Sequence, residues 1–421
     1  MPAGTDSIGG LRRRAHLGLD LGTTPQGGVV VNGVTEGGPG EEAGVRPLDR
    51  ITRVGERAVD HPEDVSAILR EVVAGTALRL ALARPEVGEV SVSLTVRARP
   101  SEAIAGGRVV LGAADAAGTH LRTILTLPEG DGPWPAVLHL QGIDTASSEH
   151  LDPSAPLLRL VTDWTRAGFA TMRVERSGVG DSEGPPPAET DLDTELEGLL
   201  AALAALSEHP AIDRRRVFLF GHSIGGMIAP EVARRASVCG VVVFGSSAKR
   251  WRACAVGTTE RQLALRGLAG DEWSRRVAAW AEMHAAVCRD GLTPAEAIAR
   301  RPHLSILSSR QCRGATLFGH HASYFRQLDA LTLTAPFRAS LAPLLVLQGE
   351  FDWVCDASDA ESIVAQASER PSPASVELET LARVGHDMRS HASYAASFES
   401  PRDGTWCGSV PNASVPWMRA R

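Results

Sequence analysis

Val217-Phe218-Leu219-Phe220-Gly221-His222-Ser223-Ile224-Gly225-Gly226 is the stretch on which the reading of the chain turns. The apolar run Val217 to Phe220 gives way to Gly221-His222-Ser223-Ile224-Gly225 and then to a small, apolar segment, Gly226 to Ala233. That sequence of patterns reads as strand, sharp turn, helix. A serine at such a turn is held in a strained backbone that lifts its hydroxyl clear of the sheet, while flanking glycines let neighbouring segments approach. Ser223 is therefore the candidate nucleophile. Gly-x-Ser-x-Gly is a short pattern in a chain with 42 glycines, and a serine hydroxyl is a weak nucleophile, so the reading depends on two partners. One is a base to take the proton; the other is a group to orient that base.

Both lie downstream. Pro343 to Leu347 reads as a short buried strand that runs into Gln348-Gly349-Glu350-Phe351-Asp352, which sets a carboxylate just past the strand's end. Asp352 is the candidate orienting acid, preferred over Asp356 and Asp359 because it is nearest that end. The alternation Val376 to Leu381 leads to Gly385-His386-Asp387, which makes His386 the candidate base. His222 adjoins the nucleophile but points elsewhere in such a turn. His320, His321 and His391 read as structural or substrate-facing, and Asp387 as a loop residue satisfying its own backbone.

Ser, Asp, His is the chain order of the α/β-hydrolase architecture, and from about residue 104 onward the chain resembles that superfamily. Further matches are Leu127-Pro128, Pro135, the strand Ala136 to Leu140, and Arg176-Ser177-Gly178-Val179-Gly180-Asp181-Ser182, similar to the Arg-Gly-x-Gly-x-Ser loop. Gln141-Gly142 stands where the family often has His-Gly. The resemblance implies a mostly parallel, doubly wound sheet with a helical cap at about 251–333, where the strand-helix rhythm is interrupted. It also implies an oxyanion hole made by the N–H of Ile224 and one from the Gly142 or Ile143 turn. Trp251, Trp273, Trp280 and His284 are candidates for lining a pocket under the cap, against the alternative that the tryptophans pack the cap onto the core. The long connection 143–156 brings Asp144, Glu149 and His150 within reach of a substrate. Arg176 and Asp181 read as pinning their own turn. No metal or organic cofactor is implied.

The region before the hydrolase reads as short strands and glycine-rich turns around one helix. Val65, Ile68, Leu69 and Val72 form its apolar stripe, Asp60 can cap it, and Glu63 completes a capping-box-like spacing. Strands are expected at 28–34, 78–83 and 89–96. His16-Leu17-Gly18-Leu19, Gly37-Gly38-Pro39-Gly40-Glu41-Glu42-Ala43-Gly44-Val45, Asp49-Arg50-Ile51 and Val54-Gly55 resemble a PDZ domain of the kind attached to bacterial high-temperature-requirement proteases. Leu48 stands where that family often has glycine. The resemblance implies a carboxylate-binding loop at Leu17, Gly18 and Leu19, and a C-terminal or internal peptide added as a strand at the groove. A purely structural, docked module is the alternative. The expected organisation is an N-terminal arm (1–11), a PDZ-like domain (12–99), a junction (100–107) and the hydrolase (108–421).

With 421 residues, 43% of them hydrophobic, the chain can bury a large core and is long enough for two domains. A net charge of −7 and a pI near 6.0 argue against nucleic acid as a partner, and Arg12-Arg13-Arg14 reads as a solvated arm. Lys249 is the sole lysine, an arginine bias that fits a GC-rich bacterial genome. No apolar run reaches membrane-spanning length and no signal-peptide core is evident, so the expected location is cytoplasmic. Six scattered cysteines without metal-ligand spacing read as free thiols; for Cys355, three residues past Asp352, packing is preferred over lining the site. The expected chemistry is serine-nucleophile acyl transfer to water on an ester, thioester or amide. The resemblance to serine aminopeptidase-like and acyl-peptide hydrolases points to a peptidase or esterase. The alternatives are a thioesterase, cyclase or acyltransferase of a specialised biosynthetic pathway, and a catalytically quiet scaffold whose PDZ domain is a peptide-binding adaptor. The sequence leaves the oligomeric state open.

Overall fold

The computed structural model describes residues 7–24, 27–149, 152–307, 311–371 and 375–421. The chain divides into two compact units, Met1–Ser101 and Glu102–Arg421.

In the first unit, alternating apolar residues build a sheet whose inner face closes over one helix. Its strands β1 (Leu19–Thr23), β2 (Val29–Val34), β3 (Arg50–Val54), β4 (Ala77–Arg84) and β5 (Gly88–Thr95) pair antiparallel in that order. α1 (Pro62–Glu71) drives Val65 and Ile68 into the core against Val29, Val31, Ile51, Leu80 and Leu82. β1 is therefore an edge strand, with one side unpaired among the described residues. The helix start differs from expectation by one residue. The cap is His61 rather than Asp60, and Asp64 rather than Glu63 accepts the backbone N–H groups of Asp60 and His61, each at 2.9 Å.

Two further expectations for this region fail. Arg13 is buried, its guanidinium donating to the carbonyls of Arg99 (2.9 Å) and Pro100 (2.8 Å), so the arginine cluster is not a solvated arm. Ser7–Ile8 pairs with Leu11–Arg12 and Leu11 is buried, so the described part of the expected arm is paired structure. In both cases the deciding partner is a backbone carbonyl or strand, which composition does not reveal.

The second unit is built on an eight-stranded sheet. β6 (Gly107–Ala116) and β7 (Thr119–Pro128) form an antiparallel hairpin. After them come β8 (Trp134–Leu140), α2 (Pro156–Arg166), β9 (Ala170–Val174), α3 (Leu192–Glu208), β10 (Ile212–His222), α4 (Ile224–Arg235) and β11 (Gly240–Phe244). The cap follows, with α5 (Trp251–Leu265), α6 (Gly270–Cys288), small hairpins between Cys312 and His321, and α7 (Ala322–Leu333). β12 (Leu344–Gly349), α8 (Ala357–Ser368), β13 (Val376–Leu381) and α9 (Ser409–Arg419) complete the unit. The strand order is β6-β7-β9-β8-β10-β11-β12-β13, and from β9 to β13 every neighbouring pair is parallel.

Continuous apolar runs such as Val241 to Phe244 arise because both faces of this sheet are covered. Leu138, Leu219, Val241, Val243 and Val346 join one core, whereas Val137, Phe218, Phe220, Val242, Phe244 and Leu347 join the other. Glu102, inside the expected 100–107 junction, is buried and ion-paired with Arg173. The register aligns Leu140 with Gly221, His222 with Phe244, Phe244 with Leu347 and Gly349 with Leu381. Parallel strands that end level place their following loops together at one edge, where α/β folds assemble their sites.

Candidate active site

Ser223 follows β10 and caps α4 with φ +56° and ψ −123°, a conformation that L residues avoid. Neighbouring backbone holds it there. Its N–H donates to Phe244 O at 3.0 Å, and Ser246 Oγ donates to Ser223 O at 2.9 Å. The flanking glycines are required by close approach. A Cβ on Gly225 would sit 2.1 Å from Leu140 O, and one on Gly221 would sit 2.5 Å from Gly225 O. Ile224 is the first residue of α4, so its N–H is among the donors that a helix start leaves without a partner.

Asp352 and His386 come together behind this turn. Asp352 Oδ2 lies 2.8 Å from His386 Nδ1, and Oδ1 accepts from the N–H groups of Val354 (2.8 Å) and Cys355 (2.9 Å). A carboxylate with these partners only accepts, so Nδ1 carries the imidazole proton and Nε2 is left to take another. The Asp352 side chain is fully buried and that of His386 is 17% exposed, so the acid is sheltered while the imidazole stays accessible. Gly245, at the end of β11, makes room for the pair. A Cβ there would lie 2.7 Å from Asp352 Oδ2 and 2.9 Å from His386 Nδ1. Sequence reasoning missed this residue, although its position at a parallel strand end, level with Ser223, carried the signal.

His222 does not simply point away, as expected. Its Nε2 lies 3.0 Å from His386 O, and its ring packs on the His386 ring at 4.8 Å between centroids. Burial, and then the His386 and His139 charges, push its pKa well below the usual histidine value, which keeps it neutral. It ties the Ser223 turn to the His386 loop.

The Gly142 turn packs directly against Ser223: a Cβ on Gly142 would sit 3.2 Å from Ser223 Cβ and 3.7 Å from its Oγ. Arg176 does not pin its own turn, contrary to expectation. It reaches the carbonyls of Gly142 (2.7 Å) and Asp144 and pairs with Glu195. Asp181 instead pairs with Arg122 in a buried contact. The loop that follows is tied down: Ser148 and Glu149 donate their N–H groups to Glu175, and Asp144 Oδ1 accepts from Ala146 N at 2.8 Å. Asp144 remains exposed, Glu149 is buried, and His150 lies outside the described residues.

The cap residues divide. Trp251, Trp280 and His284 converge on one cluster with Phe318 and Phe325: Trp280 stacks on Phe318 at 5.7 Å, His284 on Phe318 at 6.2 Å, and Trp251 on Phe325 at 5.2 Å. His284 is 1% exposed, neither ring nitrogen has a hydrogen-bond partner among the described residues, and burial lowers its pKa to about 4. Trp273 stands apart, its Nε1 donating to Glu260 O between α6 and α5. His320 is buried with Nε2 3.0 Å from Ile143 O, His321 caps α7, and His391 pairs with Asp387 at 2.9 Å. Asp387 also accepts from Arg389 N, whereas Asp356 caps α8 and Asp359 binds Lys249. Cys355 is buried and its thiol pKa is raised far above normal by burial, so it is inert packing. All six cysteines are free. Among the described residues no cluster of three or more His, Cys, Asp or Glu could hold a metal, and no helix is long and apolar enough to cross a membrane.

In the first unit, Gly18 has φ +68° and its N–H donates to His16 Nδ1 at 3.1 Å, while the Leu17 carbonyl accepts from Gly40 N. The loop 17–19 thus leads into the open edge of β1.

Residues 152–390, more than half of the chain, match the model of the serine aminopeptidase S33 family. The chain belongs to that family. Residues 30–84 match the PDZ domain model, so this α/β-hydrolase carries an N-terminal PDZ domain. Esterase EstD of Thermotoga maritima is 28% identical over 126 residues, covering 30% of this chain and 30% of the esterase. The magnetosome formation protease MamE of Magnetospirillum gryphiswaldense is 43% identical over 76 residues, 18% of this chain and 10% of the protease. These matches therefore span less than a third of either relative. Among solved structures, Est1E from Butyrivibrio proteoclasticus aligns with a TM-score of 0.45 at 14% identity, covering 75% of this chain and 98% of that one.

Proposed function

We propose that this family member is a serine hydrolase that cleaves a carboxylic acyl bond through an acyl-enzyme on Ser223. His386 Nε2 takes the hydroxyl proton and returns it to the leaving group, Asp352 holds the imidazole in that tautomer, and the oxyanion is received by the Ile224 N–H and one from the Gly142–Ile143 turn. The observation that carries this reading is the preformed pair, His386 Nδ1 to Asp352 Oδ2 at 2.8 Å, packed on Gly245. Gly245 lies between Phe244 and Ser246, the residues that hold Ser223 in its strained turn. EstD, an esterase by name, and the aminopeptidase family model support esters and peptide-like amides as the substrate classes.

The aromatic cluster of Trp251, Trp280 and His284 is proposed to wall the acyl side of the site, with exposed Asp144 at its mouth. For the PDZ domain we propose capture of an extended peptide along β1, its terminal carboxylate at Leu17, Gly18 and Leu19. The test of the hydrolase reading is turnover of a p-nitrophenyl acyl ester by wild type and Ser223→Ala. Loss of at least about 1000-fold in the variant is expected, and equal rates would refute it.

A further inference from the structure

The carbonyls of the turn behind Ser223 are gripped by two side chains from distant parts of the chain. Arg176 Nη2 donates to Gly142 O at 2.7 Å and Nη1 to Asp144 O. His320 Nε2 lies 3.0 Å from Ile143 O. A carbonyl only accepts, so Nε2 is the protonated nitrogen of that imidazole. A peptide unit is planar and trans, so its C=O and N–H point in opposite directions. Holding Gly142 O therefore aims the Ile143 N–H away from Arg176. Holding Ile143 O fixes the next plane as well, and with both planes fixed the φ and ψ of Ile143 are set. The Ile143 N–H donates to nothing among the described residues, and Gly142 is seated against Ser223.

We propose that Arg176 and His320 are positioning residues that aim the Ile143 N–H as the second oxyanion donor, His320 doing so from the cap. The inference rests on the acyl-enzyme reading above. Each clamp residue is itself held. Glu195 receives Arg176 Nε at 3.0 Å and Nη2 at 2.9 Å, and the His320 ring packs on Tyr324 at 4.3 Å. The space among Gln141, Arg176, Glu195, His320 and Tyr324 is a cavity of about 30 Å³, far below the several hundred Å³ of a ligand site. The contacts these side chains make are with the turn, through which they act in this proposal. Gly319, next to His320, packs against Thr145, where a Cβ would meet Thr145 Oγ1 at 3.2 Å. The cap hairpin and the oxyanion turn are thus one packed assembly, so lifting the cap withdraws the donor that fixes Ile143.

The experiment compares full-length wild type with His320→Phe, His320→Gln and Arg176→Gln on a p-nitrophenyl ester, with inhibition by an alkyl boronic acid as a tetrahedral mimic. Phenylalanine keeps the packing on Tyr324 but donates nothing, whereas glutamine can still donate to Ile143 O. The expected result is a kcat loss of about 100-fold in His320→Phe and in Arg176→Gln, with KM within about twofold. Boronate Ki should rise in parallel, and His320→Gln should stay within about threefold of wild type. Melting curves report whether each variant is folded, and if Arg176→Gln is not, the histidine pair decides alone. Unchanged kcat in folded His320→Phe, equal loss in His320→Phe and His320→Gln, or a change in KM alone would overturn the proposal. Failure of the underlying reading looks different: Ser223→Ala would then retain wild-type turnover.

Discussion

Ser223 holds its positive-φ conformation because the segments that follow β8 and β11 pack against it, and the same crowding explains the residues around it. Gly221, Gly225 and Gly245 are sites where a methyl group would strike backbone or the Asp352–His386 pair. Ser223, Asp352 and His386, the residues proposed as a triad, could be singled out in sequence because the first two follow apolar runs and the third follows an alternating strand. Gly245 and the reach of Arg176 could not, since both depend on which segments meet across the sheet rather than on any local pattern. Among the described residues His284 is a buried imidazole with neither ring nitrogen hydrogen-bonded, set in an aromatic cluster. Replacing such a group by an apolar ring of similar shape removes its desolvation penalty. His284→Phe is expected to raise stability by about 1 kcal/mol, read as a higher urea midpoint, while altering the ranking of acyl chain lengths in an ester panel. A lower midpoint would show that the imidazole is satisfied.

At the level of elements, strand identity was readable and strand ends were not. The β6–β7 hairpin extends to Ala116 and Thr119 because Ala113 to Ala116 pair in register with Thr119 to Arg122, where only Ala114 and Leu121 are buried apolar residues, so little apolar signal marks those ends. The α1 cap lies one residue past the expected Asp60–Glu63, at His61–Asp64, because Asp64 reaches back to two N–H groups. The departure from the PDZ pattern at Leu48 has a physical counterpart: φ is +71° and the side chain is 66% exposed. A left-handed non-glycine residue costs about 1–2 kcal/mol, and glycine gives back part of that through unfolded-state entropy. Leu48→Gly should therefore stabilise the PDZ unit by about 0.5–1 kcal/mol, measured by chemical denaturation followed through that unit's amide exchange. Destabilisation would mean that the exposed leucine makes contacts in solution.

Across the whole molecule, buried histidines set the response to acid. Burial lowers the pKa of His284 and His320 to about 4, with the Arg176 charge adding to the effect at His320, and burial holds His222 well below its usual value. Between pH 6.5 and about 4 the unfolded chain binds protons that the folded hydrolase refuses, so stability is fully present above pH 6.5 and is lost as pH falls through that window. Each such histidine contributes a slope of about 1.4 kcal/mol per pH unit there. Urea unfolding from pH 7 to 4.5 should show this loss, and His284→Phe should remove one histidine's share; an unchanged slope in the variant would refute its neutral burial. The division into a PDZ unit and a hydrolase unit was readable from the switch between short alternating strands and continuous apolar runs. The cap's contact with the Gly142–Ile143 turn was hidden, because His320 and Ile143 are far apart in sequence. The most direct test of the central claim is intact-mass and peptide mapping of the full-length chain after reaction with a fluorophosphonate. One adduct per chain on the peptide carrying Ser223, absent in Ser223→Ala and slowed in His386→Ala, is predicted; an adduct elsewhere, or none on active wild-type protein, would contradict it.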